Sequence, residues 1–214
     1  VDFTHLEACA WFQGRLQPLL DMGVATFKTD FGEQAPVDAV SHDGRPGLEI
    51  HNLYPLLYNR TVFELVRRHS GRGMVWGRSA YAGSQRYPVQ WGGDSYSSLD
   101  QMAGQLRGLL GYGLSGVPFC SHDVGGFDYD PRAFDEPVQE GYRKDPVVYV
   151  RWLQFGVFNP VLRFHSAPGS GSRHPWDYGQ RNLDIARRWL QVRNSLFPYI
   201  YAAAREQFDS GCPL

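Results

Sequence analysis

Cysteine and methionine are scarce in this 214-residue chain, three of each, and neither sign of charge prevails. Cys9, Cys120 and Cys212 are odd in number and lack metal-ligand spacing, which argues against a disulfide framework and for reduced, buried, structural thiols in a cytoplasmic setting. Lys and Arg number 21 against 22 Asp and Glu, so no basic field exists to draw a nucleic acid or an anionic membrane. No run approaches the ~18 apolar residues of a membrane span, and no secretory leader opens the chain. Val1 in place of Met and an abrupt stop at Leu214 read as the cut ends of a longer protein. The pairs Gly92-Gly93 and Gly125-Gly126 lack both a following Lys-Ser/Thr and a GxGxxG context, so they read as turns that let backbone approach a ligand rather than as phosphate loops. A neutral or small polar partner remains. No cofactor is expected, and a homo-oligomer of the longer parent is compatible with the composition.

What is present is ample apolar material: 43% hydrophobic and 14% aromatic residues argue against disorder. Thr4 and Glu7 form a capping-box pattern ahead of a helix whose apolar face carries Leu6, Cys9, Ala10, Leu16, Leu19 and Leu20, with Gly23 at its end. Val24–Thr29 is a short run without strict alternation, the pattern of a strand buried on both faces of a parallel sheet. The same grammar then repeats. A helix around Leu53–His69 precedes strands at Met74–Ser79 and Tyr87–Trp91. Ser98 and Gln101 cap a helix with the stripe Leu99, Met102, Leu106, Leu109 and Leu110, and Gly116–His122 reads as the next strand. A polar insertion, Asp128–Asp145, leads to a helix near Val147–Phe158, a strand at Val161–His165, and a long helix over Leu183–Phe208 that Pro198 should interrupt and kink.

Five strands alternating with helices make an α/β chain, and the leading architecture is a partial (β/α)8 barrel containing roughly the last five strand-helix units, with residues 1–214 as a C-terminal portion truncated at both ends. An open doubly wound sheet is the alternative. Polar residues follow every strand (Asp30 and Glu33, Arg78 and Ser79, Asp94, His122 and Asp123, His165), and a barrel gathers such strand ends around one mouth.

Lys28-Thr29-Asp30-Phe31-Gly32-Glu33 places charge where a buried strand surfaces, a costly location unless the charges are used or paired. Trp91-Gly92-Gly93-Asp94 offers a second carboxyl on a glycine-hinged loop. Two carboxyls of different protonation are what glycoside hydrolysis needs, with a separation of about 5–6 Å if anomeric configuration is retained. The plainer alternative is that Asp30 pairs structurally with Lys28 or Arg78 while Asp94 caps the next helix. Taken alone, His165 reads as a satisfied strand-end histidine, Arg78 equally as an ion-pair partner or a sugar ligand, and Trp91 as core or as an aromatic platform for a sugar. His122, Asp123 and His165 lack a firm further ligand, so no metal site is expected. His51, His69 and His174 show no partner pattern and read as surface or loop residues.

The runs FKTDFGE (27–33), GRSAYAGSQRYPVQWGGD (77–94), SHDVGGF (121–127) and RFH (163–165), in this order, resemble glycoside hydrolase family 31, and within it the bacterial α-xylosidase branch. That resemblance implies a retaining exo-α-glycosidase in which Asp30 is the nucleophile and Asp94 the general acid/base. It further implies that Lys28, Phe31, Arg78, Trp91 and His165 bind the sugar. Phe31-Gly32 after the nucleophile, where α-glucosidases of the family carry Met-Asn, favours terminal α-xylosyl residues of xylosides or xylo-gluco-oligosaccharides. An α-glucosidase, or a catalytically inactive carbohydrate-binding barrel, is the alternative.

Overall fold

The computed structural model describes residues 1–129 and 145–214. The expected insertion therefore lies, over 130–144, outside the described residues. Two compact units divide the chain at Trp91.

In the first unit, α1 (Leu6–Asp21) starts one residue later than the capping-box pattern suggests. Thr4 spends both its N–H and its hydroxyl on Asp2 (2.9 and 2.7 Å), so the cap passes to His5, whose Nδ1 accepts from Glu7 N–H at 3.2 Å. After β1 (Lys28–Thr29) comes α2 (Gly47–Ser70), six residues earlier than the expected start at Leu53. Pro46, at φ −68°, leads into the helix, and its carbonyl accepts from Glu49 and Ile50 N–H (2.9 and 3.3 Å). β2 (Trp76–Gly77) and β3 (Val89–Trp91) pair in parallel with the preceding strand, in the register Lys28–Trp76 and Trp76–Val89. A 3₁₀ turn at Ser84–Arg86 is the described helical element between those two strands, in place of the α-helix usual in a parallel crossover. The core joins Leu20, Val62, Leu65, Val66, Val75 and Tyr87.

The second unit opens with Gly92, whose N–H donates to Ser121 O at 3.1 Å. Helix α3 (Leu99–Leu114) begins as expected, with Ser98 Oγ accepting from Gln101 N–H. The strand expected over 116–122 is shorter and divided at His122 into β4 (Phe119–Ser121) and β5 (Asp123–Val124). β5 pairs in parallel with β6 (Arg163–Phe164), across α4 (Pro146–Gly156). Helix α5 (Gln180–Ser210) runs through Pro198 without the interruption expected there. A proline removes one backbone donor, and the turns on either side keep theirs. Val124, Tyr149, Leu153, Val157, Tyr178 and Ala186 form the larger core, and Leu109, Val117 and Cys120 a smaller one. Among the described residues no helix is long and apolar enough to cross a membrane. The three cysteines are free; Cys120 is buried but Cys212 is exposed, contrary to a buried role for all three.

Leu153 is completely buried whereas Leu114 at the end of α3 is 81% exposed. Leu153→Ala should therefore cost about 2–5 kcal/mol and Leu114→Ala less than about 0.5 kcal/mol, read by chemical denaturation of the protein that carries this chain. Equal losses would show that the assignment of the core is wrong.

Candidate active site

The parallel ladder at the exit of β1 and β2 ends in a charged cluster. Arg78 N–H donates to Thr29 O at 3.0 Å, so the residues that follow each strand emerge side by side. Asp30 leaves β1 with Lys28 Nζ 3.0 Å from one carboxylate oxygen and Arg78 Nη1 3.5 Å from the other. Arg78 also turns its Nε to Glu33 at 2.9 Å and lies over the ring of Phe31. Lys28 Nζ sits 4.0 Å above the centre of the Trp91 ring. Partial burial pushes the Asp30 pKa up, but the Lys28 hydrogen bond, the Phe31 N–H at 3.0 Å and the charges of Lys28 and Arg78 together outweigh it, and the net shift is downward. Ion pairs as exposed as these add at most about 1 kcal/mol to stability, so their main consequence is the charge state of Asp30.

Five residues singled out in the sequence thus meet here: Lys28, Asp30, Phe31, Arg78 and Trp91. Phe31, 55% exposed, is the one non-glycine with positive φ (57°) among the described residues, and Gly32 follows at φ 99°. A side chain at Gly32 would place its Cβ 2.5 Å from Ser79 Oγ, which explains the glycine. Trp91, expected in the pocket, is only 1% exposed: its face backs the Lys28 ammonium, with Trp76 edge-on, and offers no open platform.

In the second unit Asp94 is exposed on the turn after Gly93, and His165 is half-buried just past β6, its ring 5.4 Å from Phe127. Ala167 N–H donates to Phe127 O at 2.8 Å, tying the loop of His165 to the glycine pair at 125–126. The His122-Asp123 dipeptide is structural. Asp123 is buried and takes Arg163 Nε at 2.9 Å across the β5–β6 register. His122 Nδ1 accepts from Trp152 Nε1 at 2.7 Å while its ring stacks on Phe155. Among the described residues no group of three or more His, Cys, Asp or Glu side chains is arranged to hold a metal. His51 and His69, read as surface or loop residues, lie on α2 with partners, Ala35 O and Asp21 respectively; His174 is exposed beside Asp177.

Sequence reasoning passed over the buried polar residues behind these groups. Asn59 of α2 and Thr29 of β1 hydrogen-bond to one another, and Arg173 donates to the carbonyls of Gly126 and Ser170 (2.9 and 2.8 Å). Asn59 left a signal in the sequence: it stands three residues before Val62 and seven before Val66, on the apolar stripe of its helix, where an amide needs a buried partner.

Residues 1–203 match the profile of the glycosyl hydrolases family 31 TIM-barrel domain. An α-xylosidase of Emericella nidulans is 41% identical over 217 aligned residues that span the whole of this chain and 26% of that protein. Among solved structures, a family 31 dextranase of Flavobacterium johnsoniae complexed with isomaltotriose superposes at a TM-score of 0.87 with 35% identity, over all of this chain and 27% of its own. A cycloalternan-degrading enzyme of Trueperella pyogenes in complex with a covalent intermediate superposes at 0.85 with 28% identity, over all of this chain and 29% of its own. The chain spans about a quarter of the length of the curated relatives it matches.

Burial lowers the pKa of His122 from 6.5 to about 4, against a smaller raising effect from the backbone at Asp123. Between those values the unfolded chain binds a proton that the folded chain does not, so this residue's contribution to stability falls as pH drops from 6.5 towards 4. The His122 ring resonances should stay those of a neutral imidazole, protonated on Nε2, from pH 8 down to about 5. A titration midpoint above 6 would mean that the ring is neither buried nor bonded to Trp152.

Proposed function

The chain belongs to glycosyl hydrolase family 31, and on that premise we propose that it supplies the catalytic carboxylates of a retaining exo-α-glycosidase that removes terminal α-xylosyl residues. The observation that carries this reading is Asp30 at a strand exit, held anionic between Lys28 and Arg78. A nucleophile must be charged when the substrate arrives, and two cations at the carboxylate secure that. Residues 1–214 would contribute the later strand-helix units of the barrel, with both carboxyls at strand exits.

In the first step Asp30 attacks the anomeric carbon while Asp94 gives its proton to the departing glycosidic oxygen, leaving the sugar esterified to Asp30. In the second, Asp94 removes a proton from water, which attacks the same carbon and frees Asp30. Arg78, which already has Asp30 and Glu33 in reach, presents a fork suited to vicinal hydroxyls, and His165 is a further sugar-binding residue in this reading. The covalent intermediate in the Trueperella pyogenes complex supports the two-step course, and the identity to the Emericella nidulans α-xylosidase supports the xylosyl preference. α-Glucosyl specificity is the second reading, favoured by the likeness to a dextranase complexed with isomaltotriose. An inactive sugar-binding barrel is disfavoured because both carboxyls are present. Free thiols suit a cytoplasmic site of action.

Assayed in the full-length protein, p-nitrophenyl α-xyloside should exceed the α-glucoside in kcat/KM by roughly tenfold or more, since a site shaped to one substituent discriminates by about 1–3 kcal/mol. The reverse order would make the enzyme an α-glucosidase. Asp30→Ala should lower kcat by at least about a thousandfold. With azide, the Asp94→Ala variant should yield a glycosyl azide of retained configuration. Retention from Asp30→Ala instead would show that the two roles are exchanged.

A further inference from the structure

We infer that Thr29 and Asn59 are positioning residues that lock together the two strand exits bearing Asp30 and Arg78, an assignment that rests on the reading of Asp30 as nucleophile. Asn59 lies on α2, 1% exposed, directly beneath these exits. Its Oδ1 accepts from the hydroxyl of Thr29 at 2.5 Å, and its Nδ2 donates to the carbonyl of Ser79 at 3.0 Å. The orientation of the amide is dictated by chemistry, because a backbone carbonyl only accepts and must therefore face the NH₂ end. Ser79 closes the circuit by donating its hydroxyl to Phe31 O at 2.7 Å. The residues on either side of the nucleophile, Thr29 and Phe31, are thus both tied to Ser79, the neighbour of Arg78.

The backbone ladder does not do this by itself. Its rung from Arg78 N–H to Thr29 O lies at the exit. One amide and one hydroxyl carry the register onward, from below and from above. The sequence makes room for both: a Cβ at Gly77 would meet Asn59 Nδ2 at 2.9 Å, and one at Gly32 would meet Ser79 Oγ at 2.5 Å. Thr29 is itself buried, and its single proton goes to Asn59 in preference to Trp76 O, which lies at 3.4 Å.

Loosening this circuit should let Asp30 drift from Arg78 and Lys28, with two effects beyond any loss of stability. The attack geometry degrades, and the carboxylate loses part of the cationic field that keeps it charged. The second effect moves the acid limb of the kcat/KM profile to higher pH, a change that simple loss of stability does not produce.

The test compares Thr29→Val, which keeps the shape and removes the hydroxyl, with Thr29→Ser, which keeps the hydroxyl, both in the full-length protein on an aryl α-xyloside or α-glucoside, whichever the wild type turns over. Thr29→Val should lose roughly ten- to a hundredfold in kcat with KM changed less than about threefold, and its acid limb should move upward. Thr29→Ser should stay within about threefold of wild type and keep the wild-type acid limb. Asn59→Ala, if it folds, should behave as Thr29→Val does. The inference is overturned if Thr29→Val keeps the wild-type kcat and acid limb, or if it loses activity with that limb unmoved. Asp30→Ala is the control: an active Asp30→Ala would overturn the nucleophile reading itself, whereas an inactive one beside a normal Thr29→Val removes only the positioning role.

Discussion

The carboxylate of Asp30, held between Lys28 and Arg78 at the exits of two paired strands, is the constraint that organises the first unit. Each cation in turn needs its own support. Lys28 is braced against the face of Trp91, and Arg78 divides its guanidinium between Asp30 and Glu33 over the ring of Phe31. Phe31 takes a left-handed backbone conformation that costs a non-glycine residue about 1–2 kcal/mol. Its N–H bond to the Asp30 carboxylate at 3.0 Å holds that conformation. Strain, charge and hydrogen bonding therefore converge on one side chain, a convergence expected of a functional strand exit.

The second unit answers the same problem with buried pairs. Asp123 is neutralised by Arg163 across two parallel strands, and His122 is kept uncharged by burial and by the indole N–H of Trp152. Arg173 spends its guanidinium on the carbonyls of Gly126 and Ser170, holding the glycine pair against the loop that follows His165. Breaking a buried ion pair such as Asp123–Arg163 by removing one partner costs about 3–5 kcal/mol, several times what an exposed pair is worth. These groups support the second unit beneath the loop on which His165 lies half-buried.

Charge placement, strand order and helix existence were readable because they follow from local pattern. Asp30, Arg78, Asp94 and His165 stand just after short apolar runs, and in the structure each follows a strand. Boundaries were less readable. Thr4 and Glu7 spell a capping box, yet Asp2 captures the threonine and His5 becomes the cap. Pro198 spells a break, yet α5 continues, because the surrounding turns tolerate one missing donor.

The sequence by itself determined the family, the alternating α/β order and the identity of the two candidate carboxylates, all carried by motifs a few residues long. Tertiary structure alone decided which groups those motifs rely on. Trp91 became the backing of Lys28 instead of an open face, His122 and Asp123 became buried structural partners, and Thr29 met Asn59 from thirty positions away. A buried hydrogen bond between distant residues leaves no periodicity in the chain. Its donor and acceptor are chosen by the packing that removes them from water.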